Sequence, residues 1–258
     1  MTERMGMRER MPVVTATALI LLLLPVIGCA FLPRETVPIR SEYHAWGDGR
    51  QASTLFVLLP GYLASPKDFE THGFIAAIRG AKAGVDAIAV DAHYGYYRSR
   101  TLPRRLHEDI ILPARKKGYR SIWIVGISMG GLGALFYEKT CPHMVEGIIL
   151  LAPFLGDEPV IEEIEKAGGL AQWMPPESFV HKDYQRPLWA WLQNRVNSRG
   201  APLYLGYGDK DRFARACSLL CKTLPSGRCR VLPGGHDWDV WEPLFRRLLG
   251  DAGFARAE

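Results

Sequence analysis

The pentapeptide Gly126-Ile127-Ser128-Met129-Gly130 places a serine between two glycines. A serine hydroxyl is a weak nucleophile unless a neighbouring base removes its proton, and that base needs a carboxylate to fix its tautomer and orientation. The G-x-S-x-G pattern is typical of a strained turn that exposes the serine and leaves no room for flanking side chains. Ser128 is therefore the candidate nucleophile, and the backbone N–H of Met129 is available to a developing oxyanion.

The candidate base is His236, which lies in the glycine-rich segment Pro233-Gly234-Gly235-His236-Asp237. This histidine follows a predicted strand and also comes after the serine along the chain. His93 follows a predicted strand as well, but it precedes the serine, and we interpret it as a residue of the site's mouth or a structural hydrogen-bonding group. Asp209 and Asp211 both follow another predicted strand, and either has a position suited to the carboxylate that orients the histidine.

The elements that must position these residues are short apolar strands that alternate with helices. Apolar runs predict buried strands at 54–59, 85–90, 122–125, 147–151, 201–207 and 230–232. Helical patterns are found at 66–80, 104–117, 213–224 and 238–249, and directly behind Ser128. One further edge strand is expected within the polar segment 31–50. This alternation predicts an α/β fold, with a mostly parallel sheet and helices on both of its faces.

With a strand, a sharp turn and a helix around Ser128, the chain resembles the α/β-hydrolase superfamily from about residue 54 to residue 250. Members of that superfamily carry their catalytic residues in the order Ser, Asp, His. Their G-x-x-D pattern falls here on Gly208 and Asp211, and their G-G-H-x-W-like loop falls on residues 234–238. The triad that the resemblance implies is Ser128, Asp211 and His236.

Two other aspartates stay open as the acid. Asp209 is the alternative, although it falls on the bend after the strand, where a carboxylate can bond its own backbone or cap the helix that begins near Phe213. Asp157 is a more distant third, because some lipases place the acid after the preceding strand.

The resemblance also implies where the second oxyanion donor lies. In the family this donor comes from the loop after the first buried strand, usually with the sequence His-Gly-x, and this chain has Pro60-Gly61-Tyr62 there. Gly61 preserves the turn, and the donor is a backbone group. We therefore assign the oxyanion hole to the N–H groups of Met129 and Tyr62, with Leu63 as the alternative to Tyr62.

The function that the resemblance implies is that of a serine hydrolase, most simply a carboxylesterase acting on a small-molecule ester or acyl substrate, without a metal or organic cofactor. Acyltransferase, thioesterase, amidase and peptidase activities use the same triad and stay open. A second alternative is a non-catalytic envelope lipoprotein that uses the fold as a binding module, but a binder has no need of an ordered triad. Scattered Lys and Arg residues and a net charge of only +5 argue against nucleic acid as a partner.

Residues 157–200 interrupt the alternation, because they contain helical patterns but no clear strand. The family carries its lid at this position, so the resemblance implies a helical lid insertion that selects the substrate. Trp173, Trp189 and Trp191 point weakly to an apolar or aryl group, since tryptophans at helical spacing more often pack in a core. The predicted organisation is a signal peptide at 1–28, a tether and entry segment at 29–52 and a hydrolase domain at 53–258.

The N-terminus indicates export. Residues 1–11 carry three arginines, and residues 12–27 form an uncharged apolar run that is short for a membrane-spanning helix and has the length of a signal-peptide core. The run ends in Val26-Ile27-Gly28-Cys29, which resembles the lipobox of bacterial lipoproteins. This resemblance implies cleavage after Gly28, a lipid anchor on Cys29 and a place in the bacterial cell envelope; an uncleaved N-terminal anchor is the alternative. Ala30 in place of an aspartate fits the periplasmic side of the outer membrane in a didermal host.

Export would place the remaining cysteines in an oxidising compartment. Cys217 and Cys221 lie four residues apart on a predicted helix, and Cys229 opens the next predicted strand. These positions predict a disulfide between Cys229 and one of the other two. Zinc binding is disfavoured, because no histidine falls at ligand spacing near them.

Overall fold

The structure is a computed structural model that describes residues 33–47, 52–81, 84–196 and 200–254. The chain divides into two units, Met1–Arg34 and Glu35–Glu258, and all the elements below belong to the second unit. The predicted signal peptide (1–28) and Cys29 lie outside the described residues, as do residues 30–32 and 48–51 of the predicted tether and entry segment (29–52). Among the residues that are described, none forms a helix with both the length and the apolarity needed to cross a bilayer.

Seven strands form one sheet in the described part of the chain. In chain order they are β1 (Ser41–His44), β2 (Thr54–Leu59), β3 (Val85–Val90), β4 (Ser121–Ile127), β5 (Gly147–Leu151), β6 (Leu203–Gly208) and β7 (Cys229–Leu232). They lie side by side in the order β1-β3-β2-β4-β5-β6-β7. β1 runs antiparallel to β3, and every other neighbouring pair is parallel.

The helices cover both faces of this sheet, which confirms the predicted α/β fold. They are α1 (Pro66–Thr71), α2 (Phe74–Gly80), α3 (Tyr94–Arg98), α4 (Leu102–Arg105), α5 (Leu112–Lys116), α6 (Met129–Thr140), α7 (Glu158–Lys166), α8 (Gln185–Val196), α9 (Ala214–Cys221) and α10 (Trp238–Asp251). A π-helical stretch, Leu106–Ile111, joins α4 to α5. Every residue of β2 and β5 is buried, which is why these strands read as continuous apolar runs rather than as alternating patterns.

Two of the predicted helices are interrupted in the structure. The pattern at 66–80 forms α1 and α2, separated at Gly73, whose φ of +81° is a left-handed conformation that glycine adopts readily. The pattern at 104–117 widens into a π-helix before Pro113. A proline has no N–H to donate to the residue four positions earlier, and its ring crowds that carbonyl, so the preceding turn opens.

The segment 157–200 contains α7 and α8 and, in its described residues, no strand. Trp173 and Trp189 are only 3% and 0% exposed, so they pack in the core instead of offering a surface to a substrate. α8 is held to α6 by Arg195, whose guanidinium bonds the two carboxylate oxygens of Glu138 at 2.7 and 2.8 Å. The predicted helical character of the segment is therefore present, and its tryptophans serve mainly the packing.

A disulfide joins Cys221, the last residue of α9, to Cys229, the first residue of β7, with 5.7 Å between their Cα atoms. Of the two partners predicted for Cys229, the structure has Cys221. Cys217, one helical turn earlier, is fully buried, and its Sγ lies 3.9 Å from the carbonyl oxygen of Pro153. Burial raises the pKa of the Cys217 thiol well above its ordinary value, so this cysteine stays protonated and unreactive.

Cys221→Ser is expected to lower the free energy of unfolding by about 2–3 kcal/mol, because the disulfide restricts the unfolded chain. Denaturant unfolding of the oxidised protein measures the change. Cys141→Ser, which removes a partly exposed free thiol, is the matched control and should have a clearly smaller effect. If Cys221→Ser and the wild type unfold at the same denaturant concentration, the crosslink does not stabilise the fold.

Candidate active site

Ser128 occupies a sharp turn between β4 and α6. Its backbone has φ +53° and ψ −115°, a conformation that costs a residue with a side chain about 1–3 kcal/mol. The space around the turn explains both flanking glycines. A Cβ atom on Gly126 would lie 2.3 Å from the carbonyl oxygen of Gly130, and one on Gly130 would lie 2.1 Å from that of Leu59. This is the strand-turn-helix arrangement that the pentapeptide predicts.

Three side chains from separate loops form one hydrogen-bonded chain. The hydroxyl of Ser128 lies 3.0 Å from Nε2 of His236, and Nδ1 of His236 lies 2.8 Å from Oδ2 of Asp211. The side chain of Asp211 is fully buried, and that of His236 is 12% exposed. When Nδ1–H donates to the carboxylate, Nε2 carries no proton and accepts the hydrogen bond of the serine hydroxyl. The fold therefore brings these three distant residues into contact.

The candidate aspartates have different partners. Oδ1 of Asp211 accepts the backbone N–H of Phe213 at 2.7 Å, so both oxygens of this buried carboxylate are hydrogen-bonded. The place of Asp209 on the bend predicts that it caps α9, but it does not. Its Oδ1 instead accepts the backbone N–H of Gly234 at 2.9 Å. Asp211 is thus the aspartate that contacts the histidine.

The loop that carries His236 is fastened to the turn that carries the aspartates. The N–H of Lys210 donates to the carbonyl of Gly234 at 2.9 Å, in addition to the bond from Gly234 to Asp209. The two segments also approach closely, since a Cβ atom on Gly208 would lie 2.3 Å from the carbonyl oxygen of Gly234. These contacts hold the histidine loop at a fixed distance from Asp211.

Aromatic rings enclose the imidazole of His236. The ring of Phe213 meets it edge-on with 5.0 Å between centroids, and Trp241 does the same from α10 at 4.8 Å. Phe154, whose ring lies 5.3 Å from that of Phe213, donates its N–H to the carbonyl of Ser128 at 3.0 Å. Neither Phe154 nor Phe213 belongs to a motif, and the one sequence signal for a role in the site is their place just beyond the carboxyl ends of β5 and β6.

The loop after β2 lies against the nucleophile. A Cβ atom on Gly61 would be 3.4 Å from Cβ of Ser128. A backbone hydrogen bond to the carbonyl of Gly61, 3.2 Å long, closes a turn with Tyr62 and Leu63 at its centre. On the other side, Met129 is the first residue of α6, and the first N–H groups of a helix have no acceptor within the helix. The predicted oxyanion donors therefore lie on the two segments that border Ser128.

The loop after β2 and the turn after β4 meet at the point where the chain changes the side of β2 on which it adds the next strand. β3 and β4 lie on opposite sides of β2, and β2 and β4 finish in register, with Leu59 opposite Gly126. In open α/β sheets, ligand sites lie at the carboxyl ends of the strands at such a change of side. The position of Ser128 in the fold is thus one where a substrate is expected.

Two other candidate residues have structural partners. Nδ1 of His93 accepts the N–H of Gly95 at 3.2 Å and caps α3, which fits the interpretation as a structural hydrogen-bonding group. Oδ2 of Asp157 accepts a hydrogen bond from Nε2 of Gln185 at 2.7 Å. In the described ranges, no group of three or more His, Cys, Asp or Glu side chains is spaced to hold a metal ion.

A comparison of the sequence with models of protein families assigns the chain to one family. The model of the alpha/beta hydrolase family matches residues 56–255, and the chain belongs to that family. No curated protein sequence matches the chain significantly.

Solved structures with the same fold cover most of the chain. Est1E from Butyrivibrio proteoclasticus is 18% identical and has a TM-score of 0.53 over 83% of this chain and 94% of its own. The S-formylglutathione hydrolase FrmB from Staphylococcus aureus is 14% identical, with a TM-score of 0.54 over 88% of this chain and 100% of its own. A ferulic acid esterase is 14% identical, with a TM-score of 0.53 over 84% of this chain and 99% of its own. At these identities the likeness shows a shared fold.

Proposed function

We propose that this protein is a serine hydrolase that cleaves carboxylic esters with Ser128, His236 and Asp211 as its triad. The observation that carries the proposal is the hydrogen-bonded chain through these residues, in which the two contacts of His236 measure 3.0 and 2.8 Å. This chain supplies what a serine needs to become a nucleophile: a base within reach of the hydroxyl and a carboxylate that fixes the base.

In the first half of the reaction, Nε2 of His236 removes the proton of Ser128 as its oxygen attacks the ester carbonyl carbon. Asp211 stabilises the imidazolium that forms. The N–H groups of Met129 and Tyr62, with Leu63 as the alternative to Tyr62, bind the negative charge that develops on the carbonyl oxygen. The positive end of α6 adds to this stabilisation.

In the second half, the leaving alcohol takes its proton from Nε2 of His236, and an acyl group remains on Ser128. Water then enters the place of the alcohol, and His236 removes a proton from it as the water attacks the acyl carbon. The bond between the acyl carbon and Oγ of Ser128 then breaks, and His236 returns the proton to that oxygen, so that the acid is released and the serine is regenerated. Each step uses groups of this chain and water.

An ester is the favoured substrate class because one of the structural neighbours is named as a ferulic acid esterase, and one solved structure of Est1E has ferulic acid bound. A thioesterase, amidase or acyltransferase would use the same triad with another leaving group or another acceptor. The name of FrmB makes the thioester the alternative to test first.

The matched test uses one acyl group on two leaving groups, an acetyl ester and an acetyl thioester of similar size. We expect the larger kcat/KM, relative to the uncatalysed rate, for the ester, with acetate as the product. A larger value for the thioester would reassign the substrate class, and acetyl transfer to an added alcohol would identify an acyltransferase. If the folded protein turns over neither compound and fluorophosphonates do not label it, the binding-module alternative stands.

We also propose that residues 157–200 act as the lid of the site. The segment begins shortly after Phe154, which is bonded to the carbonyl of Ser128, and it exposes Phe179 and Val180 by 40% and 77%. Exposed apolar side chains on a lid can cover the apolar part of a substrate. The bonds of Arg195 on α8 to Glu138 on α6 favour a lid whose α8 helix keeps its position over a lid that opens and closes freely.

For the location, we propose a signal peptide at 1–28, a lipid on Cys29 and a tether and entry segment at 29–52 that leads into the hydrolase domain, with β1 (Ser41–His44) of this segment already paired with β3 of the sheet. The protein would then sit in the bacterial cell envelope, on the periplasmic side of the outer membrane in a didermal host. The apolar run and Val26-Ile27-Gly28-Cys29 support this proposal. The disulfide of the catalytic domain is consistent with it, because disulfides persist in oxidising compartments.

Cys29→Ser is expected to abolish incorporation of a labelled fatty acid and to leave the precursor uncleaved, because the lipid attaches to a thiol. Metabolic labelling in a bacterial host, followed by electrophoresis of the captured protein, measures both effects. Cys141→Ser is the control for loss of a thiol elsewhere. Retention of the label in Cys29→Ser would refute the anchor.

A further inference from the structure

Phe154 and Phe213 are each tied to the triad by the backbone. The N–H of Phe154 donates to the carbonyl oxygen of Ser128 at 3.0 Å, and the N–H of Phe213 donates to Oδ1 of Asp211 at 2.7 Å. The backbone at both positions is therefore fixed by hydrogen bonds to the proposed nucleophile and to the proposed acid. We call these two residues the phenylalanine pair.

The rings of the phenylalanine pair form one surface beside the imidazole. Their centroids are 5.3 Å apart, and the ring of Phe213 lies 5.0 Å from that of His236, at 85° to it. Both rings are partly exposed, in contrast to core phenylalanines such as Phe56. The guanidinium of Arg212 lies 4.9 Å from the centre of the Phe213 ring, a stacking contact that restrains it.

The chemistry of ester cleavage decides which part of a substrate lies next to this surface. The proton of the imidazolium must reach the leaving oxygen, so the alcohol part of the ester has to lie against Nε2 of His236. The carbonyl oxygen, in turn, points to the donors at Met129 and Tyr62. The leaving alcohol is thus the part of the substrate that is directed towards the His236 side of the site, where the phenylalanine pair lies.

We infer that the phenylalanine pair forms the leaving-group subsite and selects esters of apolar alcohols that carry an aromatic ring. This inference rests on the proposed hydrolase function and narrows its substrate class. Aromatic rings pack edge-to-face or offset against each other and gain about 0.5–1.5 kcal/mol beyond the area they bury, which corresponds to about 2- to 13-fold in rate for an ester whose alcohol bears a ring.

The test compares benzyl acetate with ethyl acetate. The two esters share the acyl group, and both release an alkoxide that needs a proton from His236, so their kcat/KM ratio isolates the contact with the ring. We expect Phe213→Leu to lower the benzyl-to-ethyl ratio about 2- to 13-fold and Phe154→Leu to lower it in the same direction. Phe213→Tyr keeps the ring and should keep the ratio.

Phe254→Leu is the matched control, because Phe254 is also partly buried, and its ring packs 4.9 Å from Phe56. We expect it to leave the ratio unchanged. A disturbed His236 would slow both esters alike, since both demand the same proton transfer. An unchanged ratio in folded Phe213→Leu and Phe154→Leu would therefore overturn the subsite while the hydrolase function stands.

Failure of the proposed function gives a different result. In that case the folded wild type hydrolyses neither acetate and is not labelled by a fluorophosphonate at Ser128. This result refutes the hydrolase function and the leaving-group subsite together. Circular dichroism and melting temperature establish that each variant is folded. If Phe213→Leu does not fold, Phe213→Tyr and Phe154→Leu still decide the question, because the first must keep the ratio and the second must lower it.

Discussion

Ser128→Ala is expected to lower kcat for ester hydrolysis at least about 1,000-fold, because the variant has no nucleophile and keeps only the contribution of binding and of the oxyanion donors. Alanine at φ +53° meets the same backbone strain as serine, so the fold is expected to persist. Initial rates on a short-chain aryl acetate, measured together with the melting temperature, separate loss of catalysis from loss of structure.

Ser226→Ala is the control for this experiment, since it removes a hydroxyl from the exposed turn before β7. It should retain the activity and the stability of the wild type. Undiminished hydrolysis by folded Ser128→Ala protein would remove Ser128 from the mechanism.

Asp211→Asn has the second largest expected effect, a loss of about 100- to 10,000-fold in kcat. An amide cannot stabilise the imidazolium, and its NH₂ group favours the wrong tautomer of His236. The carbonyl oxygen of the asparagine can still accept the N–H of Phe213, which preserves the local structure. The measurements are kcat and the melting temperature.

Asp209→Asn is the matched control, because it makes the same change two positions earlier. Its side-chain oxygen can still accept the N–H of Gly234, so we expect less than about a 10-fold loss in kcat and a change in stability of at most about 2 kcal/mol. If Asp209→Asn is inactive and Asp211→Asn keeps its activity, the roles of the two aspartates are reversed.

The central strands could be predicted from the sequence because burial on both faces leaves a distinct apolar run. For β2 the predicted and observed bounds, Thr54–Leu59, coincide. The edge strand β1 (Ser41–His44) is mostly exposed, so no apolar run marks its bounds, and its antiparallel direction is set by pairing with β3. The break at Gly73 was not predicted, since a glycine inside a helical pattern is often tolerated.

The order of the triad residues follows from motif resemblance, but the roles of the two aspartates depend on the folded loops. Asp209 and Asp211 both follow β6, and both form a side-chain bond to the loop that carries His236. Which of them meets the imidazole is decided by the turn geometry at the end of β6. No pattern in the sequence shows that geometry directly.

The contact between the two rings of the phenylalanine pair could not be predicted from the sequence. Phe154 and Phe213 are far apart in the sequence, and neither belongs to a motif. They meet because β5 and β6 are neighbouring parallel strands, whose carboxyl ends lie at the same edge of the sheet. The partner of Cys229 is a similar case: the helical pattern allows Cys217 or Cys221, and the packing of α9 buries the first and leaves the second beside β7.

The most direct measurement is covalent labelling with a fluorophosphonate probe, followed by mass spectrometry of the peptides. We predict a single adduct on Ser128 in the wild type, no adduct in Ser128→Ala, slow labelling of Asp211→Asn and ordinary labelling of Ser226→Ala. A folded wild-type protein without an adduct on Ser128, or equal labelling of Ser128→Ala, would contradict the assignment of Ser128 as the nucleophile.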